Sequence, residues 1–193
     1  AEKDGGERCY VVRFSAHPTN LDGDNMLFSA EFPGYLQATL EKTALRTTAV
    51  YLGGALGSSG PRAPEGAKDD FEKCKLMGEA LAQMVLDNTK TPEFKDSYDI
   101  ASVGIQLPVP PLQVRITPSL RISPLFRPIA GLTKEGWMSA AKIGNTYFVG
   151  VPADFSSEIS LAWKQWATTE GIDLVPTSFC ANYLGYVSPD KYY

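Results

Sequence analysis

The 193-residue chain contains one histidine, His17. That scarcity excludes any site built from several histidines of this chain, the HExxH zinc proteases among them. Cysteine is nearly as rare. Cys9, Cys74 and Cys180 lie far apart with no CxxC pair, which matches neither a zinc ribbon nor a thioredoxin motif. An odd count fits no complete disulfide framework; buried free thiols are the expectation, with one disulfide and one spare thiol as the alternative. No cluster of Lys or Arg stands out, and the formal charge is -4 with a pI near 5.1. Nucleic acid is therefore excluded as a partner, because phosphate binding needs a concentrated basic footprint. No run approaches the roughly 18–20 apolar residues of a membrane-spanning helix, and the start Ala1-Glu2-Lys3-Asp4 is too polar for a signal peptide. Such a start suits a processed chain, an internal fragment or an artificial boundary. Hydrophobic residues make up 44%, ordinary for a globular core, and the length suits a single domain over 1–193.

The lone histidine has a distinctive setting. Cys9-Tyr10-Val11-Val12-Arg13-Phe14 alternates as a strand does, and ends at Ser15-Ala16. His17 then stands where the chain leaves the sheet, with Pro18 holding the exit extended. A histidine so placed suits a metal ligand or a proton carrier; the alternative is a loop residue without chemistry.

Further along, Tyr35, Leu36, Leu40 and Ala44 recur on one face and predict a helix over 33–43, with Pro33 in its first turn. Thr47 to Leu52 reads as a short strand buried on both sides. It runs into Gly53-Gly54-Ala55-Leu56-Gly57-Ser58-Ser59-Gly60-Pro61. Glycines after a strand allow close backbone approach to a ligand, although the loop lacks both the Gly-Lys-Ser/Thr ending and the G-x-G-x-x-G spacing of nucleotide sites. Asp69 or Asp70 caps a helix to about Asp87, with Phe71, Cys74, Met77, Leu81 and Val85 as its core stripe. Residues 88–97 read as linker and 98–107 as a strand.

Six prolines between Leu107 and Pro128 exclude a central strand there and imply edge strands or an extended arm, with strand-like pieces at 113–117 and 120–123. Residues 137–143 and 147–151 flank Gly144-Asn145-Thr146 as a hairpin. Asp154 follows, either as a functional carboxylate at a strand end or as the N-cap of a helix over 156–169 whose inner face carries Ile159, Trp163 and Trp166. A last strand over 172–179 precedes a tyrosine-rich end whose rings are expected to pack on a surface. Strands alternating with helices, plus one antiparallel hairpin near 137–151, predict an α/β fold of mixed sheets layered with outer helices.

Five short motifs, in order, resemble those of the neutral/alkaline ceramidase family. Arg13-Phe14-Ser15-Ala16-His17-Pro18-Thr19 is similar to its second histidine motif, and Ser29-Ala30-Glu31-Phe32-Pro33-Gly34-Tyr35 to its S-x-D-x-x-G-Y element. The 52–61 segment falls where that family has a glycine-rich loop ending in G-D-V-S-P. Val151-Pro152-Ala153-Asp154-Phe155-Ser156-Ser157 resembles P-G-E-F-T-T, and Asn182-Tyr183-Leu184-Gly185-Tyr186-Val187-Ser188 resembles N-x-Y-x-x-Y-V-T-T.

The resemblance implies the C-terminal portion of such a catalytic domain, a divergent member lacking an N-terminal segment with which it would associate. It implies a zinc-dependent amidase of lipid metabolism, a hydrolase of sphingolipid N-acyl bonds acting through metal-activated water, in a secreted or periplasmic protein. It assigns His17, Asp154 and Tyr186 as Zn2+ ligands, Ser58, Ser59 and Gly60 as the catalytic pocket loop, and Gly53, Gly54, Gly57 and Tyr183 to substrate binding.

Three positions depart from the family pattern. The family's first histidine motif lies upstream of this chain, Asp154 replaces a glutamate, and Gly60 falls on the serine of G-D-V-S-P. A non-catalytic homologue that binds a ligand or partner is therefore the alternative reading. A serine hydrolase using Ser58 or Ser59 with His17 is the third, weakened because Gly57-Ser58-Ser59-Gly60 is not G-x-S-x-G.

Overall fold

The computed structural model describes residues 2–3, 6–89, 97–109, 116–117, 119–120, 122–123 and 135–192. They form two compact units, 1–98 and 99–193.

In the first unit, strand β1 (Glu2–Lys3) pairs antiparallel with β2 (Glu7–Phe14), and β2 pairs parallel with β3 (Thr47–Gly53) in a three-stranded mixed sheet. Helix α1 (Glu31–Glu41) makes the crossover, and α2 (Asp70–Asn88) packs against it. Asp69 caps α2 as expected, its side chain accepting from the Glu72 N–H at 2.7 Å.

The strands turn Tyr10, Val12, Ala49 and Tyr51 toward the helices, where Leu36, Leu40 and Ala82 complete one buried cluster. Phe32 fills a second with Ala16 and Met77, its ring edge-on to both Phe14 and Tyr51. Burying a ring of that size contributes about 2–3 kcal/mol. The helices cross at Gly78, where a Cβ would meet the Phe32 carbonyl at 2.5 Å.

Two expectations change here. Strand β3 is not buried on both sides: the helices cover one face, while Val50 on the other is 38% exposed. Among the described residues β3 is also an edge strand. The side chains of α1 close that edge, Gln37 donating to the Ala49 carbonyl at 2.7 Å and Glu41 accepting from the Ala49 N–H at 3.0 Å. In α2, Cys74 and Met77 are buried as predicted, but Phe71 is partly exposed and the small residues Gly78 and Ala82 take the inner positions. A close helix crossing selects small side chains over a regular apolar stripe.

The second unit holds a four-stranded sheet in the order β4 (Ile100–Pro108), β5 (Glu135–Ile143), β6 (Thr146–Gly150), β8 (Asp173–Thr177). Its first three strands are antiparallel, and β8 runs parallel to β6. The β5–β6 hairpin turns on Gly144-Asn145 as predicted, Gly144 supplying the positive φ of 59° that a tight turn requires. Helix α3 (Ser157–Thr169) connects to β8 and packs on it. Trp163 stacks on Phe155, whereas Trp166, predicted to face inward, is 57% exposed and Ala167 is buried instead.

Pro108 ends β4, an edge strand among the described residues, as the proline argument requires. Of the strand-like pieces at 113–117 and 120–123, residues 113–115 and 121 lie outside the described residues, and the others are not strand: the Ile116 N–H donates to the Leu120 carbonyl at 2.9 Å, a local bond rather than a ladder. Both units are thus mixed sheets layered with helices: an α/β fold.

Candidate functional site

Each unit presents an ionisable predicted site residue where a strand ends. In the first, β2 stops at Phe14 and hands the chain to Ser15, Ala16 and His17. Tyr51 on β3 fastens this exit, its hydroxyl reaching the carbonyls of Phe14 at 3.3 Å and Ala16 at 3.4 Å. Burial, opposed by the nearby Arg13 charge, pushes the Tyr51 phenol up to about 12, so it remains a donor at neutral pH. The His17 N–H donates to the Ser59 carbonyl at 2.9 Å, and Nε2 of its ring is shielded from solvent. His17 and the glycine-rich loop therefore meet.

Within that loop, Gly54 is required by close approach: a Cβ there would sit 2.3 Å from Ser15 Oγ and 2.6 Å from the Arg13 guanidinium carbon. Its N–H donates to the Phe14 carbonyl at 2.8 Å, and the Ala55 N–H donates to Ser15 Oγ at 3.2 Å. Gly53 lies against the Leu56 side chain, Gly57 is half-buried, and Ser58 and Gly60 are exposed. An open cleft of this unit, about 510 Å³, is lined by Asn20, Asp22, Asp70 and Lys73 among others, and by none of the predicted site residues.

Sequence reasoning missed what holds the return from His17 to α1. Glu31 is 8% exposed and has a left-handed φ of 53°. Its carboxylate accepts from the Leu21 N–H at 2.7 Å, from Asn20 Nδ2 at 3.3 Å and from the Cys74 thiol at 3.1 Å. Burial pushes the carboxyl up, but the bonds from Leu21, Cys74 and Asn20 outweigh it and hold the group below the usual glutamate range. Burial and the neighbouring Glu31 together push the Cys74 thiol up to about 12. The only signal in the sequence was the position of Glu31 in the S-x-D-x-x-G-Y resemblance.

In the second unit Asp154 is 1% exposed and lies in a two-residue strand, β7 (Asp154–Phe155), paired parallel with β9 (Tyr186–Val187). It does not cap α3. Ser156 holds the N-cap position with an extended backbone and no side-chain cap bond. The register sets Asp154 opposite Tyr186. The Asp154 charge, with desolvation, a hydrogen bond between the two side chains and the nearby Tyr183, raises the Tyr186 phenol above its ordinary value.

Tyr183 stacks on Phe179 with ring centres 5.5 Å apart. The tyrosine-rich end is thus only partly packed: Tyr183, Tyr186 and Tyr192 are exposed, and Tyr192 is held by its hydroxyl, which donates to Glu158. The buried hydroxyls of Ser156 and Ser178 make no hydrogen bond among the described residues.

The donor chemistry of the Asp154–Tyr186 pair fits a zinc ion in part, since carboxylate oxygen is a common ligand and phenolate oxygen an acceptable one. Among the described residues no three His, Cys, Asp or Glu gather as a metal-holding group, and no disulfide joins the three cysteines. No described helix is long and apolar enough to cross a membrane.

No protein-family model matches the chain, and no curated protein matches it. Solved structures do. The neutral ceramidase from Pseudomonas aeruginosa aligns with a TM-score of 0.65 at 16% identity, over 92% of this chain and 38% of that one. A ceramidase complexed with C2 aligns with a TM-score of 0.63 at 15% identity, over 92% of this chain and 39% of that one. The chain spans less than two-fifths of the length of these neighbours, and over that span it has a ceramidase-like fold.

Proposed function

We propose that the chain is the C-terminal portion of a ceramidase-like catalytic domain that hydrolyses the N-acyl amide bond of a lipid substrate, in a secreted or periplasmic protein. The observation that carries this reading is the meeting of Asp154 and Tyr186, two motif residues remote in sequence, in register on β7 and β9 within a ceramidase-like fold.

His17, Asp154 and Tyr186 would hold the zinc, with a further histidine supplied from an upstream segment. Zinc, when bound, supplies Lewis acidity that polarises a carbonyl and lowers the pKa of water to about 7. The chain's own residues do the rest. Asp154 brings a buried negative charge that favours a cation. Tyr51 and Ser59 fix the backbone from which His17 projects. The 53–60 loop packs closely on Ser15 and Arg13 because Gly54 has no Cβ; Ser58, Ser59 and Gly60 would be its catalytic residues and Gly53, Gly54 and Gly57 its substrate-binding ones, while Tyr183 would be the substrate-binding residue of the second unit.

The test is zinc content, measured by elemental analysis on the 193-residue chain and on the protein extended at its N-terminus, before and after His17→Ala and Tyr186→Phe. Stoichiometric zinc in the extended protein, lost in both variants, is expected. Absence of zinc from both forms overturns the mechanism.

A further inference from the structure

Two stretches of the second unit run side by side away from Asp154 and Tyr186. One is β7 continuing into the first turn of α3, and it carries Asp154, Ser156 and Glu158. The other is β9 continuing into a 3₁₀ turn over Asp190–Tyr192. The strands are parallel, with Asp154 opposite Tyr186. The Asp154 N–H donates to the Gly185 carbonyl and the Ser156 N–H to the Val187 carbonyl, each at 2.9 Å. Glu158 continues the series with its side chain. One carboxylate oxygen accepts from the Tyr192 hydroxyl, and the other takes the Lys191 ammonium at 2.7 Å. Lys191 also lies over the Tyr192 ring, 5.0 Å from its centre, so the two donors reach the carboxylate together.

An exposed ion pair contributes little by itself, because ordering two long side chains costs entropy and water screens the charges. Two features make this one count locally. The link Ser188-Pro189-Asp190 is short, Pro189 fixes its own φ, and the Tyr192 N–H donates to the Pro189 carbonyl at 3.0 Å, so the turn that presents both donors is already formed. The strand that the contact completes is two residues long, with exposed side chains. Such a pairing is marginal, and a modest contact at its end shifts its opening.

We propose that Glu158 is a positioning residue: by gripping Lys191 and Tyr192 it keeps β9 paired with β7, and so keeps Tyr186 opposite Asp154. Its purpose rests on the ligand assignment made above, whereas the grip itself rests on the geometry alone.

Glutamate in the first turn of a helix also favours the helix, so the test varies the other side of the contact. The variants are Lys191→Met combined with Tyr192→Phe, and Lys191→Arg, which keeps the charge. Amide hydrogen exchange on the 193-residue chain, resolved by NMR, reads the pairing at Ser156, whose N–H bonds to β9. Val151 is the control, since its N–H bonds to the Thr177 carbonyl of β8. The double variant is expected to speed exchange at Ser156 about five-fold. Val151 should stay within about two-fold, and Lys191→Arg should stay near wild type. In the protein extended at its N-terminus, loss of zinc to a chelator should quicken by the same factor as exchange at Ser156, because release requires Tyr186 to leave.

Unchanged exchange at Ser156 in the double variant overturns the grip. Equal acceleration at Val151 overturns it too, since the contact would then brace the whole unit. Faster exchange at Ser156 with unchanged zinc loss overturns the positioning of Tyr186. Faster exchange at Ser156 alone, with no zinc in the extended protein, sinks the hydrolase reading while the grip on β9 stands.

Discussion

Glu31 and Phe179 are both non-glycine residues held in the left-handed region, one in each unit, at φ 53° and φ 59°. Their surroundings differ. The Glu31 carboxylate is buried and takes three hydrogen bonds from the loop and helix around it. The Phe179 ring stands half in solvent. Strain at Glu31 is offset on the spot by bonds that fasten the return from His17. At Phe179 the fastening runs through the backbone, the Phe179 N–H donating to the Ala153 carbonyl at 3.4 Å and the Cys180 N–H to the Val151 carbonyl at 3.0 Å. Comparing the two separates strain fastened through a buried side chain from strain fastened through the backbone.

The sharpest way to break that comparison is Glu31→Ala. It leaves the Leu21 N–H and the Cys74 thiol without their acceptor and keeps the strained backbone, so a loss of about 3 kcal/mol is expected in denaturant unfolding. A loss under about 1 kcal/mol would mean that the carboxylate bonds do not offset the strain at Glu31.

A smaller effect is expected from pH. The folded chain holds Glu31 below its unfolded value, near 4.3, so the folded state binds fewer protons than the unfolded one. The stabilisation is complete above that value and is lost as pH falls through the lower folded value. Glu31→Gln should therefore flatten the fall of Tm between about pH 5 and pH 3; an unchanged slope would assign the acid sensitivity to other carboxylates.

The smallest effect belongs to the second unit. Ser156→Ala at a helix N-cap ordinarily costs about 1 kcal/mol, but this serine makes no cap bond. Together with Ser178→Ala it should change stability by less than about 0.5 kcal/mol, or raise it slightly, because each removes a buried hydroxyl that lacks a partner among the described residues. A cost above about 1 kcal/mol for either would show that these hydroxyls brace the scaffold, as Glu31 does.

What could be read from the sequence was what depends on local chemistry. Alternation located β2, the Asp69 cap located α2, and Gly144-Asn145 located the hairpin. The same reading failed where the deciding contact is remote. Phe71 and Trp166 obey helical periodicity yet are partly or mostly exposed, because the helix crossing at Gly78 and the packing at Ala167 favour small residues. Whether Asp154 stands at a strand or caps a helix stayed open because β7 and β9 are two residues each, too short for any periodicity.

For the candidate site, the setting of His17 at a strand exit beside the glycine loop was legible. The burial of Glu31 was not, since Ser29-Ala30-Glu31 precedes the helix predicted over 33–43 and carries no periodicity that would mark a buried carboxylate. Nor was the strain at Phe179, which depends on backbone bonds to a segment earlier in the chain.

The brevity of β7 and β9 has a consequence for how the molecule assembles. Their pairing closes a loop of about thirty residues for two rungs of ladder, so the entropy of closure is met only after α3 and β8 are in place. Asp154 and Tyr186 are therefore among the last residues to meet during folding. A two-stranded pair this short is marginal by itself; since Asp154 and Phe155 are buried while Tyr186 and Val187 are exposed, it is β9, held by the Asp154 N–H to Gly185 and the Ser156 N–H to Val187, that can come away while β7 stays in place.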